Sequence, residues 1–267
     1  MPQSAPAASV ADLGRSAGRI AERHIDLAFR RILRGPNVDA TARFIRLVTG
    51  AAHPFGNFVL FSAWGDETAV DAAIEPLTRC GAPSAVLFTG AIGEGVKRRL
   101  QDRGFGLHES MPAMVVDIER LRETAPPPGY AMERVGGGSA GDAWARAFAE
   151  GYEVPIEVGD AFSPNGAGLT TAAEGPLQYF AIRRGDRMVC TSILFLAEGV
   201  AGIYGVSTVP DERGKGLAAH ATAAALRSAL ELGHRVGVLQ SSPAGHSVYR
   251  GLGFVDVGDV PLFVRVC

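Results

Sequence analysis

The sequence predicts an α/β protein. Three observations point there. Short apolar runs of strand length alternate with alanine- and leucine-rich stretches of helical period. One such run opens into a basic, glycine-rich turn at the start of a helix. The two halves of the chain also show the same order of strands and helices, each ending in a Gly-Phe pair.

The composition allows this. The chain has 267 residues, 47% hydrophobic and 20% charged, with a formal net charge of −2. That suits one large domain or two small ones with a sizeable core. It gives no general attraction to nucleic acid or to an anionic membrane. Cys80, Cys190 and Cys267 are widely spaced in apolar surroundings, which fits free thiols in a reducing cytoplasm better than a metal site or a disulfide set. No run reaches transmembrane length and the N-terminus has no signal-type apolar core. A cytoplasmic protein without a bound metal is expected.

Residues 1–15 read as a disordered tail, rich in Ala, Pro and Ser. Residues 16–123 form the first half. Arg19–Arg34 is helical by period, Gly35-Pro36 breaks it, and Asp39–Thr49 reads as a second helix. Asn57–Ala63 and Ser84–Thr89 are buried strands, each followed by a helix. The first of these helices is capped by Asp66-Glu67, and the second spans Glu94–Arg103. Ala113–Ile118 is a further strand. Residues 124–129, TAPPPG, form a stiff linker. The second half, 130–267, begins with strand Tyr130–Val135 and an amphipathic helix, Ala140–Ala149, with Trp144, Ala145 and Phe148 on one face. Residues 150–175 read as irregular. A hairpin spans Gln178–Leu196, and Ala201–Val209 leads into the turn. Helix Gly216–Leu232 follows, with Leu217, Ala221, Ala225 and Leu232 as its apolar face. Strand Arg235–Gln240, helix Ala244–Leu252 and two short strands, Phe254–Val257 and Pro261–Val266, complete the chain.

Superposing the two Gly-Phe pairs sets Leu100 opposite Tyr249. It also sets the plain junction Trp64-Gly65 opposite the basic turn. An internal repeat with an inactive first copy explains this; so does chance, since strand–helix units are common.

The turn, Tyr204–Ala219 (YGVSTVPDERGKGLAA), has a physical use. Free N–H groups and the positive end of a helix dipole make a seat for phosphate oxygens, and glycines let a ligand approach the backbone. A P-loop would need Ser or Thr after Gly216, where Leu217 stands. A dinucleotide fingerprint fits Gly214–Ala219 by spacing. Against it, Val209–Arg213 separates the strand from the first glycine, and the next strand ends in Gln240-Ser241 rather than an acid.

Arg213, Gly216 and Ala218 occupy the fixed positions of (Q/R)xxGx(G/A). With the preceding GVST strand, the stretch resembles the coenzyme A loop of the GNAT superfamily of N-acetyltransferases. Ser242–Phe254, a helix with Tyr249 followed by Gly-Phe, resembles that family's end-of-domain signature. The resemblance covers roughly 128–267, and the first half resembles the degenerate N-terminal domain of tandem members.

The resemblance implies a GNAT-like mixed, largely antiparallel sheet with flanking helices, complete in the second half and reduced in the first. It implies acetyl-CoA as co-substrate and a small-molecule or peptide amine as acceptor. Strand residues Val206, Ser207 and Thr208 would meet pantetheine, with the Val206 N–H polarising the thioester carbonyl. The turn residues Arg213, Gly214, Lys215, Gly216, Leu217 and Ala218 would hold the pyrophosphate, and Ser242 would also contact the cofactor. Tyr249 would protonate the leaving thiolate, since a phenol keeps its proton at neutral pH. Glu153, Asp160, Glu198 and Tyr204 are open alternatives for the base. A non-catalytic acyl-CoA-binding module is the other reading of the same motifs. Strand edges left open at the cofactor strand suit a ligand or a second copy, so a homodimer is compatible.

Overall fold

A computed structural model describes residues 16–62, 67–172 and 175–266. The expected tail 1–15, the junction Trp64-Gly65, the capping residue Asp66 and Cys267 lie outside the described residues. The first half contributes α1 (Ala17–Ile32), β1 (Val38–Ala40), β2 (Phe44–Val48), β3 (Asn57–Phe61), α2 (Glu67–Arg79), β4 (Ser84–Phe88), α3 (Glu94–Asp102) and β5 (Gly106–Asp117). The second contributes β6 (Tyr130–Val135), α4 (Ser139–Tyr152), α5 (Ile156–Phe162), β7 (Leu177–Arg184), β8 (Arg187–Ala197), β9 (Val200–Thr208), α6 (Leu217–Glu231), β10 (Val236–Gln240), α7 (Pro243–Leu252) and β11 (Val255–Arg265).

All the strands belong to one mixed, mostly antiparallel sheet, in the order β1-β2-β3-β4-β11-β5-β10-β9-β8-β7-β6. The order is close to symmetric about the β11–β5 pair. β3 with β4 and β9 with β10 are the parallel pairs, one in each half. Each half sends its last strand into the other: β11 pairs with β4, and β5 pairs with β10. The two exchanged strands pair antiparallel along most of their length.

The matching ends of α3 and α7 carry the repeat down to single bonds. The Phe105 N–H donates to Leu100 O at 2.9 Å, and the Phe254 N–H to Tyr249 O at 3.0 Å. Both phenylalanines are fully buried, worth about 1.5–3 kcal/mol each in apolar burial.

Four elements depart from the sequence reading. Asp39–Thr49 is not a helix but β1 and β2: Ile45 and Leu47 point inward while Phe44, Arg46 and Val48 are only partly covered, a period of two. The irregular stretch contains α5, a helix too short to show a period. The two C-terminal strands are one, β11, interrupted by a bulge between Asp256 and Gly258. Leu232 lies past the end of α6 and is exposed, so it is not part of the docking face. Leu217, Ala221 and Ala225 are buried as expected.

In the second half, α6 and α7 cover one face of the sheet, burying Ala225, Leu226 and Leu252 against Leu194, Ile203 and Leu239. The opposite face holds Trp144 and Phe148 of α4, Val158 of α5, and Ile25 and Ala28 of α1. Helix α1 therefore belongs to the first half by sequence but lies partly over β9 and β10 of the second. The linker also touches α6, where the Thr124 hydroxyl is 3.3 Å from His220 Nδ1. Among the described residues no helix is long and apolar enough to cross a membrane.

Candidate active site

Strand β9 opens the site. It pairs with β10 only from Val200–Val236 to Gly202–Val238, and beyond that point the two strands part. Its other edge stays on β8, with a bulge between Thr191 and Ile193. Gly205 sits at this bulge with φ +57, a conformation that glycine takes without strain. The Val209 N–H donates to Val189 O at 3.0 Å on β8. Strand alternation then turns the backbone groups of Thr208 and Val206 to the open edge. In the first half the equivalent strands stay zipped, from Phe58–Ala85 to Phe61–Phe88.

Past β9 the chain makes one helical turn over Pro210–Glu212 and enters α6 through Gly214 and Gly216, at φ +77 and +75. No atom lies within 4 Å of where a Cβ would stand on either glycine, so the space above the turn is open. Arg213 is the last residue whose N–H is used internally, donating to Pro210 O. From Gly214 to Ala218 the N–H groups have no acceptor among the described residues, and no side chain caps the helix. These groups and the helix dipole suit an anion.

The two basic side chains of the turn are exposed but engage acceptors of the protein itself. Arg213 donates to Gly151 O at 2.8 Å and Thr208 O at 3.2 Å, and pairs with Glu153 at 2.8 Å. Lys215 reaches the buried carboxylate of Glu212 at 2.6 Å. Glu212 also accepts from Tyr130 and Arg184, and these partners, Lys215 first, hold its pKa down to about 2. Arg213 and Lys215 thus brace the turn while their side chains stay 49% and 37% exposed beside the unpaired N–H groups. Leu217 is core, and the Ser207 hydroxyl is tied to Thr191 at 2.9 Å. Ser242 caps α7, accepting from the Gly245 N–H.

Tyr249 lies on α7, on the face of the sheet that carries α6, and is 9% exposed. Burial foremost, then the neighbouring Tyr152 and Cys190, raise its pKa above the usual phenol range. The nearby Thr222 side chain works the other way. Tyr249 therefore keeps its proton at neutral pH. Cys190 is buried, its thiol pushed up to about 12, and takes a hydrogen bond from Thr208 at 3.4 Å.

Of the alternatives for the base, Glu198 lies in the β8–β9 turn at the far end of β9, paired with Arg23. Glu153 caps α4 in a left-handed conformation and holds Arg213. Asp160 on α5 has a raised pKa, from burial first and then from Asp142 and Glu157. Tyr204 is bound to His24, a partner from α1 that no local pattern could reveal. The His24 Nε2 meets Val200 O at 3.3 Å, so it carries the hydrogen, and Nδ1 accepts from the Tyr204 hydroxyl at 2.8 Å. Among the described residues no cluster of His, Cys, Asp and Glu could hold a metal ion. A hollow of about 510 Å³ between β2 and α2 lies at the other end of the sheet, away from β9.

Residues 143–254, which contain the open strand, the turn and Tyr249, match the model of the acetyltransferase (GNAT) family. The chain carries a GNAT acyltransferase domain. Among curated proteins no sequence matches it significantly. Among solved structures, the GNAT fold recurs along nearly the whole chain. A GCN5-related N-acetyltransferase from Kribbella flavida is 20% identical, covering 93% of this chain and 95% of its own, with a TM-score of 0.61. Another from Sphaerobacter thermophilus is 13% identical, covering 99% and 93%, with a TM-score of 0.59. A tandem GNAT protein from the clavulanic acid biosynthesis pathway is 12% identical, covering 98% and 96%, with a TM-score of 0.56. The fold of that tandem protein is similar to this chain over both halves.

Proposed function

We propose that the protein is an acetyl-CoA-dependent N-acetyltransferase acting on a primary amine of a small molecule or peptide. One observation carries this reading. The second half combines an opened β9–β10 edge with a run of unpaired N–H groups at the start of α6, and among the described residues of the first half β3 and β4 stay paired. An extended polar chain ending in a pyrophosphate fits both features: pantetheine adds to the free edge of β9 at Val206 and Thr208, and phosphate oxygens sit on Gly214 to Ala218.

The thioester supplies the acetyl group: the C–S bond breaks, a C–N bond forms, and the amine loses a proton to a base or to water. The chain's own part is to hold and to protonate. In this reading the Val206 N–H, beside the bulge of β9, polarises the carbonyl. Tyr249, kept neutral by burial, gives its proton to the sulfur. In this reading residues 16–123 are a reduced copy without a site of their own, joined through 124–129.

Thermal shift with acetyl-CoA followed by thiol release on a panel of amines tests the reading. Stabilisation and release are expected. Tyr249→Phe should lower turnover by about a hundredfold or more while acetyl-CoA affinity stays within about twofold. Turnover unchanged in that variant removes Tyr249 from the mechanism. No stabilisation by any acyl-CoA overturns the whole reading.

A further inference from the structure

Across the mouth of the splay, two polar side chains look the same way. Val200 and Gly202 of β9 stand beside Val236 and Val238 of β10, and the next residues on that face are Tyr204 and Gln240. Leu239 packs under α6 and α7, whereas Val238 and Ala113, the cross-strand partner of Gln240, pack under α1. Gln240 therefore points to the α1 face, opposite Tyr249. Both polar atoms of its amide are out of solvent and have no partner. A buried amide with nothing to bond is costly, and such a group beside an open strand edge calls for a ligand.

Tyr204 is the second group. Its hydroxyl hydrogen is committed to His24 Nδ1, which leaves the phenol oxygen free to accept. Burial lowers the His24 pKa to about 4, so the imidazole stays neutral and orients the phenol without taking its proton. From Tyr204 outward the wall is aromatic. Ring centroids step from Tyr204 to Phe29 (6.3 Å), to Phe162 (5.9 Å), to Phe148 (5.6 Å) and to Tyr152 (4.7 Å). At the outer end Tyr152 and Ile156 are 38% and 42% exposed. The nearby carboxylate of Glu153 is already paired with Arg213. The row itself is aromatic and offers stacking surface.

We propose that the acceptor is an arylalkyl monoamine entering from the α1 face. Its nitrogen is received between the Tyr204 phenol and the Gln240 amide, and its ring lies against Tyr152 and Phe162. His24, from the first half of the chain, is a positioning residue for Tyr204. This rests on the acetyl-transfer reading above: the phosphate seat and Tyr249 lie on the α6–α7 face, and Tyr152 stands near enough to Tyr249 to affect its proton.

The test uses acetyl-CoA with 2-phenylethylamine and, as the polycationic contrast, spermidine. The expected result is a kcat/KM for 2-phenylethylamine at least about tenfold above that for spermidine. Gln240→Leu and Tyr204→Phe each raise the KM for 2-phenylethylamine about tenfold and leave the acetyl-CoA KM within about twofold. His24→Gln, whose amide oxygen still accepts the phenol hydrogen, keeps the KM that His24→Leu loses. Tyr152→Ser, at a site 38% exposed, raises the KM for 2-phenylethylamine and not for spermidine, with circular dichroism checking that the variant is folded. Preference for spermidine, or unchanged KM in both Gln240→Leu and Tyr152→Ser, overturns the proposal while the transferase stands. A wild-type protein that no acyl-CoA stabilises overturns both.

Discussion

His24 gives the second half a pH sensitivity that belongs to the first. Its ring is buried between Phe195 and Tyr204, and its pKa falls to about 4 because burial penalises the charged form. The unfolded chain binds a proton near pH 6.5, the native chain only near 4. Between those values the unfolded state holds more protons, so stability drops as pH falls from about 6.5 to about 4 and then levels off. A shift of that size is worth about 3 kcal/mol across the window. Urea unfolding at a series of pH values should show this slope in the wild type and a flatter one in His24→Gln. Equal slopes in the two would mean that the imidazole is not held neutral.

At the scale of elements, two devices set up the proposed cofactor seat at the junction of β9 and α6. One is the unzipping of β9 from β10. The other is the pair of left-handed glycines that lift the N–H groups of the turn into open space. Gly216→Ala puts a Cβ where φ is +75; the strain is about 1–2 kcal/mol. The residue meets no steric neighbour, so the fold should survive with a modestly lower melting point. Acetyl-CoA affinity should fall by about tenfold or more, because the N–H groups that follow are re-aimed. Calorimetric titration checks this; an unchanged affinity would mean that the phosphates bind elsewhere. The sequence showed this turn, the helix after it and Tyr249, because all three are local patterns of spacing and residue type. It did not show the partners that Arg213 and Lys215 find inside the protein. Positive charge beside a phosphate motif suggests ligand contact, but Glu153, Gly151 and Glu212 compete for those side chains from elsewhere in the fold. β1 and β2 were illegible for a related reason: alanine and arginine in Asp39–Arg46 favour a helix, and only pairing along β3 makes Phe44–Val48 a strand.

At the scale of the whole molecule, the exchange of final strands joins the two halves into one sheet. Nothing local could announce it, since β5 finds β10 and β11 only across more than a hundred residues of chain. The proline-rich segment 124–129 suggests a division into separable domains. Yet without 16–123, β10 would lose the partner on one edge over its full length, and β11 would lose both β4 and β5. The apolar faces of Val236, Val238 and Tyr204 would lose α1 as well. Open strand edges of that kind invite aggregation. A fragment of residues 124–267 expressed alone should therefore be insoluble or lack a cooperative melting transition, although it contains every residue of the proposed cofactor site. Co-expression with residues 1–123 should restore a soluble complex that acetyl-CoA stabilises. The intact chain should unfold in one transition by both circular dichroism and tyrosine–tryptophan fluorescence. A soluble 124–267 fragment that melts cooperatively and binds acetyl-CoA with the affinity of the full chain would show that the exchanged strands are not required. The first half would then serve only the acceptor side, through α1 and His24.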